Sequence, residues 1–154
     1  MEVFSNALRL LSSAALGLFV GAMLTEGGVL VPYWQSLAAA EFLAWYKAND
    51  ARLLAFFAPL TTIVALLVWA TAIVSVWEGH AARWLAVVAA LLMFAVVSMF
   101  FVYFEQANAS FAAPTIRVDD VATELARWAT WHWVRSALSC AALAAALLCC
   151  WRPS

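Results

Sequence analysis

The chain has 154 residues, of which 68% are hydrophobic and 11% charged, and its mean hydropathy is +0.94. Soluble domains run at about 45–50% apolar and about 25% charged, so this composition offers too little polar surface to wrap a water-soluble globule. Eight basic side chains against nine acidic ones leave a net charge of −1, which excludes the electrostatic footprint of a nucleic-acid binder and makes the lipid bilayer the expected partner.

Charges are rare enough that the gaps between them divide the chain. Each of four charge-poor runs supplies most of the roughly 20 apolar residues that a helix needs to cross a hydrocarbon core. None alternates as a barrel strand would. The expected fold is all-α: a single integral-membrane domain over 1–154 with transmembrane helices at about 6–31, 53–77, 84–104 and 121–151. The first run follows Arg9 as the apolar stretch of a signal peptide does, but it is read as a retained helix. In the connection after it, Phe42, Trp45, Tyr46 and Asn49 recur at helical spacing, with Ser36 as N-cap. A short amphipathic helix lying at the membrane interface is therefore expected at about 37–48. The short loop from Glu78 to Arg83 forces helices 2 and 3 into an antiparallel hairpin. Asn108, Pro114, Asp119 and Asp120 mark a turn before helix 4, where either aspartate could cap the new helix. Helix 4 is about 46 Å long at about 1.5 Å per residue, so its first turns should stand above the bilayer. The three cysteines, Cys140, Cys149 and Cys150, fall in this last run and spell neither a disulfide framework nor a zinc site.

An up-down-up-down order gathers Glu26, Tyr33, Asp50, Arg52, Tyr103, Glu105, Asn108, His132 and Arg135 at one membrane face. Glu26 follows Arg9, and Arg135 precedes Arg152, by the same number of residues. Each therefore sits about 25 Å along its helix, at about 1.5 Å per residue. An unpaired charge at that depth costs a few kcal/mol, which predicts a Glu26–Arg135 ion pair. By the same count His132 and Glu105 stand slightly higher, and the four groups form one column. Glu124, Trp128, His132 and Arg135 share one face of helix 4, flanked by Trp131 and Ser139. That stripe is read as a cradle for a flat, electron-rich or anionic aromatic molecule, with His132 between two indoles. The bland reading of the tryptophans is an interfacial aromatic belt, and that of the ion pair is a lock between helices 1 and 4.

Haem ligation by two histidines is excluded because His80 belongs to the opposite face. Glu26, Glu105 and His132 would suit non-haem iron or manganese if they converged, and this is the metal alternative; no cofactor is the favoured expectation. No nucleophile motif or phosphate loop is present. The Lys and Arg counts on the two faces leave membrane orientation open.

Four segments carry a resemblance. Glu26-Gly27-Gly28-Val29-Leu30-Val31-Pro32-Tyr33-Trp34, Phe42-Leu43-Ala44-Trp45-Tyr46, Tyr103-Phe104-Glu105-Gln106-Ala107-Asn108 and Trp128-x-x-Trp131-His132-x-x-Arg135 together resemble the small four-helix integral-membrane family that includes the fungal anthrone oxygenases. The resemblance covers most of the chain, and its most specific part is Trp-His-x-x-Arg. Characterised members oxidise an anthrone to an anthraquinone with molecular oxygen and no obvious cofactor.

What the resemblance implies is a monooxygenase-type oxidoreductase acting on a lipophilic aromatic, anthrone-like or quinol-like substrate. The catalytic set would be His132 or Glu105 as base, Arg135 holding the developing anion and Glu26 orienting Arg135. Trp128, Trp131, Tyr103, Asn108 and Tyr33 would bind the substrate. The rival expectation is a non-catalytic membrane subunit or a quinone- or lipid-binding protein. The expected setting is a multi-pass protein of a bacterial inner membrane; a homo-oligomer or a partner membrane protein stays open.

Overall fold

The computed structural model describes residues 2–113 and 115–151. Pro114 and Arg152, which mark a turn and an interface in the sequence, lie outside those residues. Helix α1 (Glu2–Thr25) runs through a π turn (Glu26–Leu30) into α2 (Val31–Ser36), and α3 spans Ala39–Trp77. Helix α4 (Arg83–Met99) passes through a second π turn (Phe100–Phe104) into α5 (Glu105–Ala112). A 3-10 turn (Val118–Asp120) leads into α6 (Val121–Trp151). The described residues contain no strand. Four continuous helical stretches, Glu2–Ser36, Ala39–Trp77, Arg83–Ala112 and Val118–Trp151, are long and apolar enough to cross a membrane.

Helix α1 packs on α3 and α6, and α4 packs on the same two helices, closing a four-membered ring. Met23 meets His132 while Ser13 meets Cys150, so α1 and α6 run antiparallel. Arg9 meets Glu78 at the far end of α3. These contacts fit the up-down-up-down order.

The separate interfacial helix does not exist. Residues 39–48 are the first turns of α3, and nothing between Asn49 and Arg52 interrupts the helix. No glycine or proline stands there to break it, and the amphipathic face finds protein rather than the membrane surface. Phe42 and Tyr46 are buried, each edge-on to Phe111 of α5 with ring centroids 5.0 and 5.5 Å away. Ser36 does not cap α3, since its hydroxyl donates to the Tyr33 carbonyl. The break falls at the extended residues Leu37 and Ala38, and the Glu41 carboxylate accepts the Ala38 N–H at 3.2 Å. Asp120 is likewise drawn away from capping α6, because its carboxylate takes two hydrogen bonds from Arg117, at 2.7 and 3.1 Å.

The core has two parts. One is a membrane-level cluster in which Leu16, Phe19, Met23, Val64, Val68, Met93 and Val96 interleave with alanines of α4 and α6. Small residues let the backbones approach closely, as helix packing in lipid requires. The other is an aromatic cap of Trp34, Phe42, Tyr46, Phe104, Phe111 and Trp128. Trp34 sits at its centre, with Phe42, Trp45, Tyr46 and Trp128 rings 5.5–6.1 Å away.

At the opposite end the loop between α3 and α4 turns on Gly79, which adopts φ 67°. Here His80 is buried, and its Nδ1 accepts the Ala82 N–H at 3.1 Å. Burial, and then the Arg9 charge, hold the His80 imidazole below its usual range. At this histidine the unfolded chain therefore binds a proton more readily than the folded one, and the contribution of His80 to folding stability falls as pH drops below about 6.5. Thermal unfolding from pH 8 to pH 5 should show the parent losing more stability than His80→Asn, which keeps an acceptor for Ala82 but cannot titrate.

Candidate functional site

The two π turns build the site. In the first, the Val31 N–H reaches back five residues to the Glu26 carbonyl; in the second, the Glu105 N–H reaches the Phe100 carbonyl. Such one-turn widenings inside α-helices recur at functional sites because they re-aim side chains without ending the helix. The first turns Glu26 and Gly27 toward α6. The second turns Phe104 inward, where it is fully buried.

All three meet the same stretch of α6. Arg135 donates from Nη2 to Glu26 Oε2 at 3.2 Å, the pair expected from matching depth. The same nitrogen lies 2.8 Å from His132 Nδ1, and the guanidinium carbon stands 4.2 Å above the Phe104 ring. Arg135 is thus held by a carboxylate, an imidazole and an aromatic face, and the last contact contributes about 0.5–2 kcal/mol. Its Nε has no partner among the described residues.

His132 is wholly buried. Its Nε2 lies 2.9 Å from the Met23 carbonyl, which can only accept, and its Nδ1 lies 2.8 Å from a guanidinium, which can only donate, with the Glu26 carboxylate farther off at 3.5 Å. The partners therefore assign one neutral tautomer, with the hydrogen on Nε2 and the Nδ1 lone pair given to Arg135. Trp128 stacks on the imidazole, centroids 5.2 Å apart and planes 7° from parallel. The second indole expected there is Trp133, edge-on at 6.2 Å, rather than Trp131. Gly27 makes the approach feasible: a Cβ at that position would lie 2.9 Å from His132 Nε2 and 3.2 Å from the Trp133 ring.

A cavity of about 490 Å³ opens beside this cluster, between α3 and the helix formed by α4, the second π turn and α5. Leu53, Leu54, Phe57, Val97, Phe100 and Phe101 form its apolar flank. Glu26, Tyr46, Asp50, Glu105, Asn108, Trp128 and Arg135 form its polar end. Leu54 and Phe101 are exposed on the outer surface of the bundle, so the cavity opens sideways. Three carboxylates against one guanidinium make the polar end net acidic, which argues against the anionic guest expected from the α6 stripe.

The expected site residues divide. Glu26, Arg135, Trp128, Asn108 and Glu105 line the cavity, with Trp128 Nε1 donating to Asn108 Oδ1 at 2.9 Å. His132 touches Arg135 but does not line the cavity. Trp131 and Tyr103 stack on each other, centroids 5.0 Å apart, and the Tyr103 hydroxyl donates to Glu124 at 2.7 Å, outside the cavity. Tyr33 is 45% exposed and meets Trp45 edge-on. The metal alternative fails on geometry. Among the described residues no group of three or more His, Cys, Asp and Glu side chains could hold an ion. Glu105 is exposed, and Glu26 Oε2 and His132 Nδ1, 3.5 Å apart, both face the guanidinium of Arg135.

Leu53, Leu54 and Phe57 on α3, and Phe100 and Phe101 in the second π turn, were not expected at the site. Their sequence signal is plain hydrophobicity, which lipid-facing residues share.

Removing one partner of a buried ion pair strands the other and costs about 3–5 kcal/mol, whereas replacing both is much milder. Arg135→Met should therefore lower unfolding stability in detergent by about that amount, and the Glu26→Gln/Arg135→Met double variant should regain most of it. Gly27→Ala should also destabilise, because the stacked imidazole has nowhere to move; an unchanged unfolding midpoint would contradict the described packing.

No family model, no curated protein and no solved structure matches the chain.

Proposed function

We propose that the chain is a membrane-embedded oxidoreductase of the anthrone-oxygenase type, which admits a lipophilic, neutral polycyclic phenol or ketone sideways from lipid. The observation that carries the reading is the lateral cavity of about 490 Å³ with an apolar flank and the Glu26–Arg135 pair at its polar end. Its size falls within the about 300–1,000 Å³ typical of small-molecule pockets. The resemblance in the Trp128 to Arg135 segment supports the choice of chemistry.

In this reading the ring system lies along Leu53, Phe57 and Phe100, and its carbonyl oxygen points at Arg135. Proton loss from the ring methylene leaves an enolate, whose developing charge the guanidinium stabilises in a water-poor setting. Glu105, exposed at the edge of the cavity, takes that proton and exchanges it with water. Molecular oxygen then supplies one oxygen atom to the ring as a new carbonyl, and the other leaves as water with the two methylene hydrogens. His132 acts through Arg135: it is a positioning residue, with its tautomer set by the Met23 carbonyl.

A second reading, a non-catalytic binder of a quinone or lipid, is favoured by the sealing of His132 away from the cavity. The two separate in one experiment on the protein in nanodiscs with dihydroxyanthrone, following quenching of tryptophan fluorescence, oxygen uptake and anthraquinone absorbance. The oxygenase reading expects all three signals, and Ala58→Trp, which fills the cavity, should remove them together. Arg135→Lys should bind within a few-fold of the parent but turn over at least about tenfold more slowly, a barrier increase of about 1.4 kcal/mol. Binding without oxygen uptake establishes the binder instead, and absence of binding overturns both.

A further inference from the structure

The end of the bundle opposite the lateral cavity holds a second buried cation. Arg9 is only 5% exposed. Its Nη2 reaches Asn6 Oδ1 at 3.3 Å and comes no nearer than 3.9 Å to the Glu78 carboxylate, too far for a hydrogen bond. Its Nη1 and the Ser12 hydroxyl are buried without a partner among the described residues. An unmatched buried donor costs about 1–3 kcal/mol, more when it carries charge.

Both orphaned groups belong to residues lining one cavity of about 10 Å³, together with Ser13, Thr71 and five apolar residues. That is about the room one water molecule needs, and a polar cavity of this size is filled where an apolar one stays dry. The lining contains a guanidinium and hydroxyls and no carboxylate. The Thr71 hydroxyl donates to the Leu67 carbonyl and the Ser13 hydroxyl to the Arg9 carbonyl. Those two hydroxyls have spent their hydrogens on backbone carbonyls, so the donors left for the cavity are Arg9 Nη1, which brings the positive charge, and the Ser12 hydroxyl.

We propose that this cavity is a binding site, separate from the lateral cavity, for a single water-sized hydrogen-bond acceptor bridging Arg9 Nη1 and Ser12 Oγ. A water molecule or a fluoride ion has that size and chemistry; chloride is too large. The bound species completes the shell of Arg9 where α1 meets the start of the α3–α4 loop. It does for the buried cation at this end what Glu26 and His132 do for Arg135 at the other.

NMR of the full chain in detergent micelles, with ¹⁵N-labelled arginine, tests the site. A cross-peak between the Arg9 guanidinium and long-lived water, independent of added halide, supports the site with water in it. A saturable shift of the Arg9 signal with sodium fluoride, absent with sodium chloride at equal ionic strength, supports it with the anion. In either case Ser12→Ala should weaken the signal severalfold, while Ser98→Ala, a hydroxyl remote from Arg9, should leave it unchanged. Neither a water cross-peak nor a fluoride response means a dry void and overturns the proposal. A signal indifferent to Ser12→Ala overturns the bridge.

Discussion

The site hangs on one buried guanidinium. Arg135 lies between a carboxylate from α1, an imidazole from its own helix and the face of a phenylalanine from the α4–α5 helix. A charge at that level is tolerable only when it is paired, and local departures from ideal helix bring its partners into reach. The two π turns bring Glu26 and Phe104 to bear, and Gly27 clears room for His132. Three of the four helical stretches are thereby tied together at one height, and the fourth, α3, closes the cavity in front of them.

That arrangement redistributes roles among residues of suitable chemistry. A histidine with a near-neutral intrinsic pKa draws attention as a base, yet one whose two nitrogens are committed to a carbonyl and a guanidinium has no lone pair to offer a substrate. The charged groups that face the cavity are three carboxylates and Arg135. The proposed guest fits that balance: it is neutral on arrival and becomes negative only transiently, beside the guanidinium.

Much of the architecture was legible because charge is scarce. The limits of α6, at Val121 and Trp151, coincide with those read from charge spacing and turn residues, and equal offsets from flanking arginines anticipated the Glu26–Arg135 contact. The π turns were not legible, since shifting the hydrogen-bond register by one residue leaves a run such as Phe100–Phe104 as apolar as before. The continuity of α3 was missed for a related reason. Asn49, Asp50 and Arg52 look like a surface break, but without glycine or proline the backbone has no cause to leave the helix. Tyr33 and Tyr103 were placed at the right membrane face and on the wrong side, because height follows from counting residues while azimuth depends on the local twist that a π turn alters.

The merging of the expected interfacial segment into α3 has a mechanical consequence. A helix of 39 residues is a rod about 58 Å long at about 1.5 Å per residue. Its first turns are gripped by the aromatic cap, and its middle forms one wall of the lateral cavity. Pro59 stands inside that wall and removes one rung of the ladder, so the rod is most compliant beside the opening. Bending there would change the width of the cavity's mouth between Leu54 on α3 and Phe101 on the facing helix, so one proline couples the rod's stiffness to the cavity's shape.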